Sequence, residues 1–185
     1  MSDIVYRDYD AEALYAQYNN RAQVTEAELG AIKDDQNARS AAYVNSAARK
    51  HIDLSYGPHG REKLDIFLPA DDGAPMFAFI HGGYWQWNDK EGFEFLAEEL
   101  NAAGAGFANI EYALCPAVTI GELTNQCRRA IAFLWREAAT YGYDASRIVV
   151  SGHSAGGHLT VLWQKQEAHG TTGVPDRRGG GQYLR

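Results

Sequence analysis

The stretch Arg147-Ile148-Val149-Val150-Ser151-Gly152-His153-Ser154-Ala155-Gly156 decides the fold. Its apolar first half is typical of a strand that is buried on both faces of a parallel sheet. Its second half is the pattern G-x-S-x-G, in which glycines on both sides of a serine let the backbone turn sharply from strand into helix. We therefore expect Ser154 to present its hydroxyl as a nucleophile. The N–H of Ala155, at the start of the helix, would face the negative charge that forms beside it.

A second glycine motif, His81-Gly82-Gly83-Tyr84-Trp85, follows the preceding apolar run. Glycines at a strand end let main-chain N–H groups approach a substrate oxygen, so Gly82 and Gly83 are expected to complete an oxyanion hole. A plain glycine turn between strand and helix is the alternative interpretation. Tyr84 and Trp85 would line the mouth of such a site and suit a flat aromatic or acyl group, although aromatic side chains serve packing as often.

Strand and helix periods alternate along the rest of the chain. Residues 52–68 alternate apolar and polar side chains around a Gly-Pro turn, which predicts a β-hairpin. The further predicted elements are a helix from a cap at Asn88 or Asp89 to Leu100, a strand over 106–114, and a helix over 123–138 that ends near Gly142. This alternation predicts the α/β class, with a mostly parallel sheet and helices on both of its faces.

The two ends of the chain differ from this central part. The first fifty residues predict helices, with Asp10 as one cap and with Thr25 and Glu28 as a capping box. The periodicity is lost after Trp163, so no further strand and helix are expected there. The predicted organisation is one partial domain over 1–163, with an N-terminal helical segment over 1–50, followed by an irregular tail over 164–185.

Composition narrows the functional classes. The chain carries 24 acidic and 17 basic residues, a formal charge of −7, so we expect neither nucleic acid nor a membrane as its partner. The first residues lack a signal-peptide pattern and no stretch reaches the ~18 apolar residues of a membrane span, so a cytoplasmic protein is expected. Cys115 and Cys127 lack redox spacing and the histidines lack the spacing H-E-x-x-H, so neither a metal nor a cofactor is expected.

With both glycine motifs in place, the chain resembles the α/β-hydrolase superfamily, and within it the branch of bacterial esterases and kynurenine formamidases (arylformamidases). The resemblance covers about residues 10 to 162. The segments that carry it are Tyr18-Asn19-Asn20-Arg21, His81-Gly82-Gly83-Tyr84-Trp85, Tyr112-Ala113-Leu114-Cys115-Pro116 and Ser151-Gly152-His153-Ser154-Ala155-Gly156-Gly157-His158-Leu159.

The resemblance implies hydrolysis of small carboxylic esters or arylformamides through an acyl-enzyme on Ser154, with a histidine as base and an aspartate that orients it. In that superfamily the acid and then the histidine follow the serine along the chain. Only His158, His169 and Asp176 follow Ser154 here, and no aspartate precedes a histidine, so none of the three is assigned to a triad. We expect a truncated or frameshifted chain, a fold that is incomplete after the elbow, and impaired activity. The alternative is a non-catalytic remnant or binding module that retains the hydrolase pocket.

An early stop of the chain would also affect the sheet. The strand around residues 148–150 would then be an exposed apolar edge, and edges of this kind pair with other chains. We therefore expect aggregation or association into a homo-oligomer.

Overall fold

The computed structural model describes residues 3–167, and these form one five-stranded sheet with helices packed against it. A short hairpin of β1 and β2 precedes the sheet. The strands are β1 (Ile4–Tyr6), β2 (Tyr9–Asp10), β3 (Lys50–Ser55), β4 (Lys63–Phe67), β5 (Ala74–Ile80), β6 (Gly106–Ile110) and β7 (Tyr143–Gly152). The helices are α1 (Ala11–Tyr18), α2 (Glu26–Ser46), α3 (Leu96–Ala102), α4 (Ile120–Tyr141) and α5 (Ala155–Glu167), with single 3₁₀ turns at Asn20–Gln23 and Lys90–Phe93.

The order of strands across the sheet is β3-β4-β6-β5-β7. Strands β6, β5 and β7 are parallel, β4 is antiparallel to β6, and β3 is antiparallel to β4. It follows that β4 alone runs against the direction of the others. The predicted α/β class with a mostly parallel sheet is therefore confirmed, and so is the hairpin over residues 52–68, which is formed by β3 and β4.

Helices cover both faces of the sheet, as predicted. Alternate side chains of a strand point to opposite faces, so neighbours in sequence belong to different parts of the core. One face is packed against α4 and α5 through Ile66, Ala78, Ala108, Leu123, Cys127, Leu134 and Leu159. The other face is packed against α2 and α3 through Phe67, Phe79, Phe107, Tyr43, Ala97 and Leu100.

The capping predictions are confirmed. Asp10 accepts a hydrogen bond from Ala13 N at 2.8 Å, and Thr25 and Glu28 form a reciprocal capping box at the start of α2. Helix α4 ends at Gly142, whose φ of 83° lies in the left-handed region that a glycine adopts at the end of a helix.

The predicted helix from Asn88 or Asp89 to Leu100 is wrong at its start. Only a 3₁₀ turn forms over Lys90–Phe93, and α3 begins at Leu96. Asn88 has a φ of 75°, which is not the extended conformation of an N-cap residue, and its Nδ2 donates to Gly82 O at 3.1 Å. Asp89 makes no capping bond, and its Oδ1 accepts from Arg61 at 2.6 Å. The strand predicted over 106–114 is also shorter, since β6 ends at Ile110.

The ends of the chain differ from the prediction in two places. Residues 4–10 form the small hairpin of β1 and β2 within a segment predicted to be helical. Helix α5 continues to Glu167, past the boundary expected at residue 163. The rest of the predicted tail, residues 168–185, lies outside the described residues. Within residues 3–167, no helix has the length and apolar character needed to cross a membrane.

Candidate active site

Ser154 lies in a strained turn between β7 and α5. Its φ of 52° is in the left-handed region, which a side chain other than glycine rarely adopts and which is typical of functional sites. The side chain is exposed at this turn. The sharp turn brings Gly152 against the start of α5, where a Cβ on Gly152 would lie 2.4 Å from Gly156 C. The predicted elbow is therefore formed, with Ser154 at its tip.

The elbow also packs closely against the end of β5. A Cβ built on Gly156 would lie 1.9 Å from Ile80 O and 2.6 Å from His81 O, distances at which no side chain fits. His153 N donates to Ile80 O at 3.1 Å in the same place. This contact fixes the distance between Ser154 and the loop that follows β5.

That loop, residues 81–90, places Gly82 beside the nucleophile. A Cβ on Gly82 would lie 2.7 Å from His153 O and 3.0 Å from Ser154 Cβ. Gly83 has a φ of 125°, and its carbonyl oxygen accepts from Gln86 N and Trp87 N at 2.8 and 2.9 Å. The loop therefore folds back on itself through the carbonyl group of Gly83.

The loop and the elbow carry the three N–H groups that the sequence predicted as oxyanion donors. Within the part of the chain that the structure describes, the N–H groups of Gly82, Gly83 and Ala155 have no hydrogen-bond acceptor. Ala155 is the first residue of α5, where the helix itself supplies no acceptor and where the helix dipole favours negative charge. The structure thus places Gly82 and Ala155 next to Ser154, and Gly83 follows Gly82 in the loop. Their role as oxyanion donors stays a prediction.

A cavity of about 340 Å³ opens next to the nucleophile. Its walls are formed by Tyr84, Trp85, Ser154, Ala155 and His158. The rings of Trp85 and His158 meet edge to face, with 5.3 Å between their centroids. The Trp85 indole Nε1 is buried and lacks a hydrogen-bond partner among the described residues. Both aromatic residues predicted to contact a substrate therefore lie in the walls.

Histidines lie near the nucleophile, but none of those described contacts its hydroxyl. Among the side chains that the structure describes, which exclude those of residues 163–167, none forms a hydrogen bond with the Ser154 hydroxyl, and His158 packs on Trp85. His169 and Asp176 lie outside the described residues. A search of residues 3–167 also finds no cluster of three His, Cys, Asp or Glu side chains that could hold a metal ion.

Glu111 is a buried residue at the site, and the sequence patterns did not predict its role there. One of its oxygens, Oε1, lies 2.9 Å from His81 Nε2 and accepts from Arg61 Nη2 at 2.7 Å and from Tyr112 N at 2.8 Å. The other oxygen, Oε2, accepts from Lys90 N at 3.0 Å. The sequence signal was an acidic residue directly after a buried strand, where a charge is unusual unless it is paired.

Arg61 and Tyr112, which both lie beside Glu111, are held in their protonated forms by their surroundings. Burial lowers the pKa of Arg61, but its hydrogen bond to Asp89 and the charge of Glu111 outweigh this effect and raise the pKa above its usual value. Burial likewise raises the pKa of Tyr112, whose neutral hydroxyl donates to His81 O at 2.7 Å. Arg61 is therefore a permanent cation and Tyr112 a permanent donor on the inner side of the loop.

Comparison with known proteins identifies the family to which this site belongs. The model of the family described as BD-FAE matches residues 64–172, more than half of the chain. The chain belongs to the BD-FAE family. The match includes the loop after β5 and the elbow at Ser154, so both halves of the site lie within the family region.

The BD-FAE chain is similar to several hydrolases. It is 31% identical to a kynurenine formamidase of Danio rerio over 119 residues, which cover 63% of this chain and 39% of that protein. It is 33% identical to a probable isoprenylcysteine alpha-carbonyl methylesterase of Oryza sativa subsp. japonica over 123 residues, 65% of this chain and 29% of that one. The chain thus spans less than half of the length of these curated relatives.

The chain is also similar to a solved structure. The crystal structure of a candidate thioesterase from a Silicibacter species superposes with a TM-score of 0.68 and 37% identity, covering 78% of this chain and 53% of that one. These findings confirm the predicted resemblance to the α/β-hydrolase superfamily and, within it, to the branch of esterases and kynurenine formamidases.

Proposed function

We propose that the protein hydrolyses small carboxylic esters or arylformamides through an acyl-enzyme on Ser154. The observation that carries this proposal is the strained turn at Ser154, which Ala155 follows directly and against which Gly82 packs. The N–H groups of Gly82, Gly83 and Ala155 have no acceptor among the described residues. Donors placed in advance where negative charge develops are worth several kcal/mol, since removal of one lowers the rate by roughly a hundredfold to a thousandfold.

The reaction follows from this placement of groups. Ser154 Oγ adds to the carbonyl carbon, its proton passes to a general base, and the new oxyanion is held by the three N–H groups. The C–O bond of an ester or the C–N bond of a formamide then breaks as the alcohol or amine leaves with a proton. Water attacks the acyl or formyl group on Ser154 in the same way, which releases the acid and restores the hydroxyl.

The base is the part of this proposal that residues 3–167 do not supply. A histidine from outside those residues or from a second chain would fill this role, in keeping with the superfamily order of serine, acid and histidine. Loss of the base lowers kcat by about a millionfold, while binding and the oxyanion hole still give roughly 10³ to 10⁴ over water. We therefore propose weak activity for the chain acting alone.

A second candidate function is a binding module that retains the cavity without turnover. This function is favoured by the observation that, among the described side chains, no base contacts the Ser154 hydroxyl. In that case Tyr84 and Trp85 would hold an aromatic or acyl ligand against the three N–H groups, and no covalent bond would form.

Covalent labelling distinguishes the two functions. The purified chain is treated with a fluorophosphonate, in which attack by Ser154 Oγ forms a P–O bond and expels fluoride, and the product is followed by intact mass. We expect slow labelling of the wild type, in keeping with its weak activity, and none of Ser154→Ala. Ser146→Ala is the matched control, because Ser146 is exposed on β7 but outside the cavity, and it should label like the wild type. An unlabelled wild type would favour the binding module.

A further inference from the structure

The segment that carries the oxyanion donors needs an anchor. Residues 81–90 contain neither strand nor α-helix, and four of them, Gly83, Tyr84, Trp85 and Asn88, have φ values in the left-handed region. Such conformations are unfavourable for residues other than glycine and persist only where surrounding contacts enforce them. The contacts that hold this loop should therefore determine where its N–H groups point.

Glu111 ties the two ends of the loop together. It follows β6 directly, and because Ile110 is in register with Ile80 it lies beside the start of the loop. The Glu111 carboxylate contacts the side chain of His81, which is the first residue of the loop. The same carboxylate accepts a hydrogen bond from the N–H of Lys90, which is the last residue of the loop. Glu111 is only 5% exposed, so these bonds form away from water and are stronger than surface bonds would be.

Arg61 extends the anchor to the returning part of the loop. It donates through Nη2 to Glu111 Oε1 and to Asn88 O at 2.7 and 2.9 Å, and through Nη1 to Asp89 Oδ1 at 2.6 Å. The guanidinium group thus bridges the carboxylate and two loop residues, a geometry that a lysine ammonium group cannot reproduce. Asn88 in turn donates to Gly82 O, so the chain of bonds reaches the oxyanion residues.

We propose that Glu111, acting through His81, Lys90 and Arg61, is the positioning residue that orients the N–H groups of Gly82 and Gly83 toward Ser154. It touches no reacting atom, and its effect is to keep the loop in its strained form. The inference rests on the proposed function for its chemical meaning. The anchoring itself is a property of the fold that does not depend on turnover.

Glu111→Gln is the variant that tests this role, because it keeps the size of the side chain but removes the charge and replaces one acceptor oxygen by a donor. A misplaced oxyanion hole weakens binding of the transition state more than binding of the ground state. With saturating fluorophosphonate we expect the labelling rate of Ser154 to fall by about tenfold to a hundredfold. The probe concentration for half-maximal rate should change by less than about threefold.

Amide hydrogen exchange provides a second measurement that needs no activity. The N–H groups of Gln86, Trp87 and Lys90 are hydrogen-bonded within or to the loop. In Glu111→Gln they should exchange at least about tenfold faster, because bonds to a charged group have been lost. Arg61→Lys keeps the charge but loses the bridging geometry, so the same amides should exchange faster in this variant. It replaces Glu111→Gln in the experiment if Glu111→Gln does not fold.

The matched control is Glu62→Gln. Glu62 is also a buried carboxylate paired with an arginine, Arg129, at 2.5 Å, but it does not contact residues 81–90. Its variant should leave exchange at the three loop amides as in the wild type. Unchanged exchange in both Glu111→Gln and Arg61→Lys would overturn the proposal. Faster exchange with an unchanged labelling rate would overturn it too. A wild type that is not labelled would refute the proposed function, and exchange alone would then decide the anchoring.

Discussion

Gly156 is the residue at which the site tolerates least change. A Cβ there would meet two backbone oxygens, of Ile80 and His81, and backbone atoms cannot move aside as the end of a side chain can. We expect Gly156→Ala to lower the free energy of unfolding by about 1–3 kcal/mol or more, as overpacking does in cores, and to abolish labelling of Ser154. Urea unfolding followed by circular dichroism measures the first effect.

Gly30→Ala is the control for that substitution. Gly30 lies inside α2 with no atom within 4 Å of a built Cβ. Alanine should raise the stability there by roughly 0.5–1 kcal/mol, because glycine is unfavourable inside a helix. Equal effects of the two substitutions would contradict the close contact of elbow and strand.

Glu94 makes the stability depend on pH. Burial raises its pKa to about 8, and the neighbouring carboxylate of the buried Asp65 acts in the same direction. The folded state therefore keeps a proton on Glu94 that the unfolded state has lost above its usual pKa of 4.5. Stability should fall as the pH rises from about 4.5 to about 8, by at most about 1.4 kcal/mol per pH unit.

Glu94→Gln tests this dependence, because glutamine resembles the protonated acid and cannot ionise. The variant should be more stable than the wild type at pH 8.5 and similar to it at about pH 5. Thermal unfolding across this range is the measurement. Parallel curves for the two proteins would show that Glu94 is not the group responsible.

At the residue scale the sequence predicts where the candidate reacting groups lie, but not which residues hold them in place. Ser154, Gly82 and Gly83 are found where local patterns place them, because turn geometry demands glycine at fixed spacing. Glu111 and Arg61 are 50 residues apart in the chain and meet only through the pairing of β4 with β6. A contact of this kind depends on strand order, which no local pattern contains.

At the scale of elements, the best-defined helix start is that of α2. The Thr25 side chain accepts from Glu28 N while Glu28 accepts from Thr25 N, so two donors at the helix end are satisfied. Thr25→Ala should lower the free energy of unfolding by about 0.5–2 kcal/mol. Thr140→Ala, near the end of α4 and away from any N-terminus, should change it by less than about 0.5 kcal/mol, and similar losses for both would argue against the cap.

The sequence predicts best those helix ends that are marked by their own capping residues. The capping box of α2 and the glycine at the end of α4 mark their own boundaries. The start of α3 was misjudged because Asn88 and Asp89 have the chemistry of caps but are bonded to Gly82 and Arg61 instead. Tertiary contacts override the local preference of a polar residue in such cases.

At the scale of the whole molecule, β7 forms one edge of the sheet in residues 3–167. Val149, in the middle of β7, is half exposed. Apolar edges of this kind pair with other chains, so we propose that the protein associates with itself through β7. Light scattering should show a mass that rises with concentration.

Val149→Lys should weaken this association, since a charged side chain on an edge strand opposes pairing. Val161→Lys, on the exposed side of α5, is the control for added charge on another apolar surface residue. A wild type that stays monomeric at high concentration would contradict the proposal, as would an equal effect of both variants.

The left-handed backbone of Ser154 has a consequence for any attempt to improve the protein. Glycine is the residue that such a conformation suits best, so the substitution that would relieve the turn removes the hydroxyl on which the proposed chemistry depends. Selection for thermal robustness and selection for reactivity therefore oppose each other at this position. Substitutions that raise the thermal stability should therefore be made at positions remote from the elbow, such as Gly30 in α2. The strained backbone of Ser154 should be left as it is.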